Sequence, residues 1–167
     1  MENNKTIPKT VIGRVERINF PTLGIKKAPA KIDTGADSSS IWASKIKFEN
    51  DTLKCVLFAK GNRFYTGEMV VFDSKDVDLT RIANSFGHSE LRYKVKIPLE
   101  VHGRTIKATF TLTDRSTKLY PILIGRSTLQ RKFVVDVSKG KPLHEEEGER
   151  QKRLRREMRR IKRELTQ

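Results

Sequence analysis

The most informative part of this chain is residues 31–40, which read Lys31-Ile32-Asp33-Thr34-Gly35-Ala36-Asp37-Ser38-Ser39-Ser40. An apolar residue leads into Asp-Thr-Gly-Ala, and small hydroxyl residues follow it. At Gly35 we expect the backbone to come close to a neighbouring segment, where a Cβ would clash. The tripeptide Asp-Thr-Gly alone is weak evidence for a functional loop, because short loops with Asp and Gly are usually ordinary turns.

A second stretch makes the first one specific. It is an apolar run that ends in Gly and Arg and then turns like a helix, and it reads Pro121-Ile122-Leu123-Ile124-Gly125-Arg126-Ser127-Thr128-Leu129. In this order, the two stretches resemble those of retropepsins, the single-domain aspartic proteases of retroviral type. The resemblance implies an all-β acid-protease barrel with one short helix. It also implies that the second strand runs under the Asp33 loop and that Arg126 pairs with Asp37.

The resemblance implies catalytic roles for Asp33, Thr34 and Gly35. Two carboxylates that share a proton can activate a water for peptide hydrolysis. With 167 residues, the chain is too short for the two-lobed arrangement of pepsin, and it contains one Asp-Thr-Gly. We therefore expect a symmetric homodimer in which Asp33 of each subunit faces its mate, with Thr34 bracing the two loops.

Retropepsins also carry a Gly-bearing hairpin, the flap, that folds over the bound peptide. It precedes a pair of strands, which the sequence predicts at residues 93–101 and 104–112. Counting back from this pair places the flap tip near Gly87, with its neighbours over the substrate. The substrate-binding residues that the resemblance implies are Ala36, Asp37, Phe86, Gly87, His88 and Arg126. The alternative interpretation of the hairpin is an ordinary surface turn.

Composition limits the partners and the compartment. The net charge is +15, from 35 basic and 20 acidic residues. This balance favours acidic partners such as nucleic acid or an acidic peptide, although it also serves solubility. The single Cys55 allows no intrachain disulfide. No stretch approaches the roughly 18 apolar residues that span a membrane, so we expect a cytoplasmic protein without membrane contact.

The end of the chain differs from the rest. Residues 145–167 predict a helix that begins with acidic and ends with basic residues, as a helix dipole favours. Residues 151–163 contain eight Lys or Arg and one Glu, a net +7. An apolar stripe runs along the helix at Leu154, Met158, Ile161 and Leu165. Two interpretations of this helix are open. It is a solvated helix that packs its stripe on the body or on the dimer mate, or it is a basic arm that binds RNA, the ribosome or an acidic tail.

We therefore predict three regions. Residues 1–10 form a flexible N-terminus, residues 11–138 form the retropepsin-like domain, and residues 139–167 form a basic helical tail. If the domain does not catalyse, the alternative function is a peptide- or RNA/ribosome-binding module that uses the basic surface and the C-terminal helix.

Five stretches resemble a bacterial and archaeal group often called ATP-dependent zinc proteases: Val11-Ile12-Gly13-Arg14, Ile32-Asp33-Thr34-Gly35-Ala36, Ser85-Phe86-Gly87, Leu112-Thr113-Asp114-Arg115 and Tyr120-Pro121-Ile122-Leu123-Ile124-Gly125-Arg126. Members of that group are associated with ATP-grasp ligases that add glutamates to a ribosomal protein. The resemblance therefore implies an aspartic peptidase that processes acidic or glutamylated protein tails.

The sequence does not support the zinc or the ATP in that name. It contains no His-Glu-x-x-His motif, and its three His and one Cys are scattered. No Gly-x-x-x-x-Gly-Lys-Ser/Thr loop is present to hold a nucleotide. We expect no metal site and no cofactor. A metallopeptidase, the remaining alternative, would lose its activity to chelators.

Overall fold

The structure is a computed structural model that describes residues 8–83 and 87–165. Most of the predicted flexible N-terminus, residues 1–7, lies outside that description. In the described residues the chain forms eleven strands and two α-helices: β1 (Thr10–Ile12), β2 (Val15–Phe20), β3 (Ile25–Ile32), β4 (Ser39–Glu49), β5 (Thr52–Leu57), β6 (Met69–Asp73), β7 (Val77–Ala83), β8 (Ser89–Val101), β9 (Arg104–Thr113), β10 (Ile122–Ile124), α1 (Arg126–Leu129), β11 (Phe133–Val135) and α2 (His144–Leu165).

Six of these strands close into a barrel. Their order is β10, β3, β2, β8, β9 and β4, and the ring closes because β4 pairs with β10 as well as with β9. Outside the ring, β5 and β6 continue from β4, and β7 pairs with β8. Closure removes the unpaired strand edges that an open sheet would expose. The predicted all-β barrel with one short helix and a C-terminal helix is confirmed.

The barrel is filled by side chains that alternate along its strands. On β8, Val95, Ile97 and Leu99 are buried at every second position, as the two-residue period of a strand requires. Phe20 and Phe110 are fully buried, and their rings meet edge to face with centroids 5.7 Å apart. Such an aromatic pair adds about 0.5–1.5 kcal/mol beyond its buried area. The loops at the strand ends are therefore supported by a tightly packed core.

One predicted strand is divided in the structure. Residues 11–20 are predicted as a single strand, but β1 ends at Ile12 and β2 begins at Val15. The N–H of Gly13 donates to Oε1 of the buried Glu16 at 2.6 Å. A Cβ on Gly13 would lie 2.2 Å from the backbone nitrogen of Gly140, so the two segments cross where only glycine fits. Local periodicity cannot show this contact, because its partner lies far along the chain.

A second predicted strand is shorter than expected. Residues 64–72 are predicted as one strand, but β6 covers only the second half. A turn around Asn62 takes up the first half: its carbonyl accepts the N–H of Tyr65 at 3.0 Å and its Oδ1 accepts the N–H of Phe64 at 2.9 Å. The region between β6 and β8, which the sequence left undecided, contains β7.

Residues 139–147, here called the strap, tie the C-terminal region to the barrel. The N–H of Lys141 donates to the carbonyl of Val15 on β2 at 2.8 Å. At the other end of the strap, Oη of Tyr120 donates to Oε1 of Glu147 at 2.5 Å. The first turn of α2 is therefore fixed against the barrel.

Beyond the strap, α2 is exposed. It corresponds to the helix predicted for residues 145–167, of which residues 166–167 lie outside the described part. Every side chain from residue 149 to 165 is exposed to solvent, so the apolar stripe does not pack on the barrel of its own chain. None of the described helices is long and apolar enough to cross a membrane.

Candidate active site

The Asp33 loop, residues 33–38, follows β3 and lies over β10. β10 runs parallel to β3 on one side and antiparallel to β4 on the other, so it lies between the strands that enter and leave the loop. The N–H of Asp33 donates to the carbonyl of Ile124 at the end of β10 at 2.9 Å. The two stretches that the sequence singles out are therefore neighbours, in the arrangement that the resemblance implies.

The closest approach beneath this loop occurs at Gly125. A Cβ there would lie 2.5 Å from the carbonyl oxygen of Ser38 and 2.8 Å from that of Ala36. At Gly35, where we expected the close approach, the single atom within 4 Å of such a Cβ is Oδ1 of Asp33, at 3.3 Å. A Cβ at Gly35 would therefore be in tight contact with the Asp33 carboxylate itself, whereas the backbone of the second stretch passes under residues 36–38.

Backbone hydrogen bonds join the same two stretches. The N–H of Arg126 donates to the carbonyl of Ala36 at 2.8 Å, and the N–H of Ser127 donates to the carbonyl of Asp37 at 3.1 Å. The two residues that begin α1 thus hold the part of the loop that follows Gly35. A loop fixed in this way can present a side chain in one defined position.

A buried set of hydroxyl groups, which sequence reasoning missed, supports the loop from below. Oγ of Ser39 accepts the N–H of Gly125 at 3.1 Å and lies 2.8 Å from Oγ1 of Thr128. Oγ1 of Thr111 donates to the carbonyl of Ser39 at 3.2 Å. All three hydroxyl side chains are buried, so each needs such a partner. The available signal is the run of hydroxyl residues that leads directly into an apolar strand.

The Asp33 carboxylate is accessible at the end of this support. Its Oδ1 accepts the N–H of Gly35 at 3.0 Å, and its Oδ2 lies 3.7 Å from Nζ of Lys31. The side chain is 28 % exposed. Thr34 and Gly35 next to it are exposed. The carboxylate can therefore accept a further partner from outside the chain.

Arg126 pairs with Asp37, as the resemblance implies. The Nη2 group of Arg126 contacts Oδ1 of Asp37. Its Nη1 group also lies 3.3 Å from the carbonyl oxygen of Thr34 and 3.4 Å from that of Gly35. One guanidinium thus connects three positions of the Asp33 loop: Thr34, Gly35 and Asp37.

We expect Arg126→Met to reduce activity more than Asp37→Asn. The ion pair is exposed and contributes at most about 1 kcal/mol to stability. The methionine variant, however, also loses the contacts to the two loop carbonyls, and a small displacement of a catalytic loop can cost about 100-fold in rate. Urea unfolding and turnover should be measured for both variants and their double mutant. Equal activity losses in the two single variants would contradict this role.

The predicted flap is a hairpin of β7 and β8. The pairing runs from Val77 opposite Val95 to Ala83 opposite Ser89. Gly87 follows with a φ of +80°, a value that favours glycine, and it is exposed like His88. Phe86 lies outside the described residues. The substrate-binding roles of these three tip residues stay predictions.

Arg115 is a further residue near the site that sequence reasoning did not identify. Its Nε donates to the carbonyl of Tyr120 at 3.0 Å and its Nη1 to Oγ of Ser40 at 2.9 Å. Burial, and then the positive charge of Arg92, lower the pKa of the Arg115 guanidinium to about 10, and the Asp33 carboxylate opposes the shift. The signal was its place in the Leu-Thr-Asp-Arg stretch of the resemblance.

Comparison with known proteins identifies the family. The model of the RimB-like family, described as retropepsin-like aspartic endopeptidase RimB, matches residues 11–146. The chain belongs to this family. The match includes the Asp33 loop, β10 and the strap up to Glu146, and it ends within the first turn of α2.

Similar curated proteins are longer than this chain. A probable alpha-L-glutamate ligase from Desulfotalea psychrophila is 32% identical over 135 residues, which are 80% of this chain and 29% of that protein. A probable alpha-L-glutamate ligase from Shewanella pealeana is 33% identical over 132 residues, 78% of this chain and 29% of that protein. The chain thus spans less than a third of these relatives. Their names agree with the ligase association that the resemblance implies.

A solved structure has the same fold. The crystal structure of a protein of unknown function from Legionella pneumophila superposes with a TM-score of 0.59 at 22% identity. The match covers 79% of this chain and 96% of that one.

The side chains of the site do not fit a zinc ion. Within residues 8–83 and 87–165, no three His, Cys, Asp or Glu side chains come together as metal ligands would. The zinc in the common name of the resembling group therefore has no matching donor set in the described residues.

Proposed function

We propose that this protein is an aspartic endopeptidase that acts as a homodimer, with residues 11–138 as the catalytic unit. The observation that carries the proposal is the accessible Asp33 carboxylate, held on a loop that β10 and α1 fix from below. Membership in a family of retropepsin-like aspartic endopeptidases supports it. A single chain supplies one such loop, so the second carboxylate comes from a second copy.

In the proposed mechanism, two Asp33 carboxylates meet across a two-fold axis and share one proton, because charges so close cannot both ionise readily. The ionised carboxylate takes a proton from water while the water oxygen attacks the scissile carbonyl carbon. The protonated carboxyl gives its proton to the carbonyl oxygen. Collapse of the tetrahedral intermediate then breaks the C–N bond, and the amine leaves with a proton from the dyad.

The remaining candidate residues position the two loops and the peptide. Thr34 braces one loop against its mate, and Gly35 offers its carbonyl to the substrate backbone. An extended peptide adds as a strand between the loop and the flap. Ala36, Asp37 and Arg126 line this path from below, and the tip with Phe86, Gly87 and His88 covers it.

The substrate we propose is an acidic or glutamylated protein tail. The net charge of +15 favours negatively charged partners. Part of each relative named as a probable alpha-L-glutamate ligase, 29% of its length, is similar to this chain. Their name supports a connection with glutamate addition. A peptidase of this specificity would remove what such a ligase adds.

Mass spectrometry of a peptide pool that includes poly-glutamate tails tests the proposal. We expect wild-type protein to cut internal bonds, with acidic tails cut preferentially. We also expect the specific activity to rise with protein concentration through the dimer transition, because one chain has one carboxylate. Absence of cleavage at every concentration would contradict the peptidase, and a constant specific activity across monomer and dimer would contradict the shared site.

A second candidate function is binding of RNA by α2. Its exposed part, residues 149–165, carries nine Lys or Arg and three Glu. Phosphate contacts by such a helix release counterions, so the affinity should fall steeply as salt increases.

Deletion of residues 149–167 tests this function and retains the strap. We expect the affinity for a single-stranded RNA to fall about tenfold or more, with a smaller salt slope, because each lost phosphate contact lowers the slope by about 0.7. Fluorescence anisotropy across a salt series measures both quantities. A matched variant with Leu154, Met158 and Ile161 changed to Ser keeps all charges and should bind normally. Unchanged affinity after the deletion would exclude α2 as the RNA site.

A further inference from the structure

Two arginines, Arg92 and Arg115, have no role in the mechanism above, and Arg115 lies within electrostatic reach of Asp33. Arg115 follows the end of β9 and is braced against the carbonyl of Tyr120 and the hydroxyl of Ser40. These bonds use its Nε and Nη1 groups. In the described ranges no carboxylate lies within ion-pair distance of Arg115. Its Nη2 group makes no hydrogen bond within the described residues, so this half-buried guanidinium keeps a donor for a ligand.

Arg92 belongs to the same cluster. On β8 it lies two residues before Lys94, which pairs with Thr111 on β9, so it lies beside the end of β9 that leads to Arg115. Its side chain is 22 % exposed, and its Nη2 group lies 2.8 Å from Oε2 of Glu90, whose own side chain is 60 % exposed. An ion pair with so exposed a carboxylate contributes at most about 1 kcal/mol, so a substrate carboxylate has little to displace.

The charges of this cluster do not balance within one chain. The positive charge of Arg92 disfavours the charged form of Arg115, and the negative charge of Asp33 favours it. When two Asp33 carboxylates share a proton, as proposed above, they carry one negative charge between two subunits. Arg115 then has no carboxylate partner in the described ranges, and Arg92 has the exposed Glu90. A partly buried guanidinium without a counter-charge is costly unless a ligand supplies one.

We infer that Arg115 and Arg92 form a carboxylate-binding subsite that receives an acidic side chain of the substrate next to the scissile bond. The inference rests on the proposed function and names the residues that select its substrate. A guanidinium presents planar paired donors that match a carboxylate. Bracing of Arg115 by Tyr120 and Ser40 fixes these donors before the substrate arrives, which lowers the entropic cost of binding.

Two peptides that differ in a single Glu or Gln beside the cleaved bond test this subsite. We expect Arg92→Gln to lower kcat/KM for the Glu peptide about 10- to 100-fold, the loss typical of one hydrogen bond to a charged group. The Gln peptide should change little, so the Glu/Gln ratio should fall. Arg115→Lys should lower the ratio less than Arg115→Gln, because lysine keeps the charge and loses the planar donors.

A matched charge control is Lys107→Gln, which removes an exposed positive charge from β9 near the opposite end of the strand. It should leave the Glu/Gln ratio at the wild-type value. If Arg115 were only a structural brace, its variants would lose both peptides equally, and Arg92→Gln would leave the ratio unchanged. That outcome overturns the subsite.

Calorimetry with Asp33→Asn protein separates failure of the subsite from failure of the proposed function. This protein should bind the uncut Glu peptide more tightly than the Gln peptide, and the added Arg92→Gln change should remove the preference. Cleavage by wild type with an unchanged ratio would overturn the subsite and leave the peptidase standing. Selective binding without cleavage by wild type would overturn the peptidase and support the subsite. Absence of both binding and cleavage would overturn both.

Discussion

Asp33→Asn is expected to abolish peptide hydrolysis while leaving the protein folded. The amide can neither accept the proton of the attacking water nor pass one to the carbonyl oxygen, so we expect a loss of about 10³- to 10⁴-fold, to the background rate. The amide oxygen can still accept the Gly35 N–H, now 3.0 Å from Oδ1. The pair with Lys31 is partly exposed, at 3.7 Å, so the free energy of unfolding should change by less than about 1 kcal/mol.

Asp51→Asn is the matched control. Asp51 is an exposed carboxylate in the turn between β4 and β5, with a φ of +55°, which asparagine also adopts. Initial rates on the same peptides, together with urea unfolding of both variants, measure the two effects. Hydrolysis by Asp33→Asn protein at more than about a tenth of the wild-type rate would contradict the dyad, since general acid–base catalysis contributes about 100-fold or more.

The resemblance carried by two short stretches predicted part of this site. It implied that Arg126 pairs with Asp37, and the structure shows that ion pair. The strand pair at residues 93–101 and 104–112 was also predictable, because each strand alternates regularly and a His-Gly turn joins them. A hairpin of this kind depends mainly on residues near one another in the chain.

The contacts that local sequence could not predict are those between distant segments. Gly125 is packed under residues 36–38, and Gly13 crosses Gly140. Neither contact leaves a periodic signal, since a glycine reads first as a turn residue. For Arg115 the resemblance marked the position, but its surroundings come from the distant Ser40, from Tyr120 and from neighbouring charges, which local sequence does not show. The barrel could therefore be named from its motifs, but its register and its buried polar groups needed the structure.

Gly125→Ala should destabilise the protein and inactivate it together. The φ of Gly125 is −93°, which alanine adopts without strain, so any effect is steric. The added Cβ would lie 2.5 Å from the carbonyl oxygen of Ser38. Backbone on both sides is fixed by hydrogen bonds, among them Gly125 N–H to Ser39 Oγ at 3.1 Å. We expect a loss of about 3 kcal/mol in the free energy of unfolding, at the upper end for overpacking.

The lone Trp42 reports this change directly. The backbone N–H of Trp42 donates to the carbonyl of Pro121, just before β10, at 2.9 Å. Urea unfolding followed by Trp42 fluorescence therefore monitors the strand under the loop. Turnover should fall with stability, because the loop that carries Asp33 must move to make room for the methyl group.

Gly148→Ala provides the opposite expectation in the same chain. Gly148 lies in α2, and a Cβ there meets no atom within 4 Å outside the helix. Alanine in a helix interior is favoured over glycine by about 0.5–1 kcal/mol, so this variant should be slightly more stable and fully active. If Gly125→Ala proved as stable as wild type, the loop could not rest on Gly125, and the support proposed for Asp33 would have to come from elsewhere.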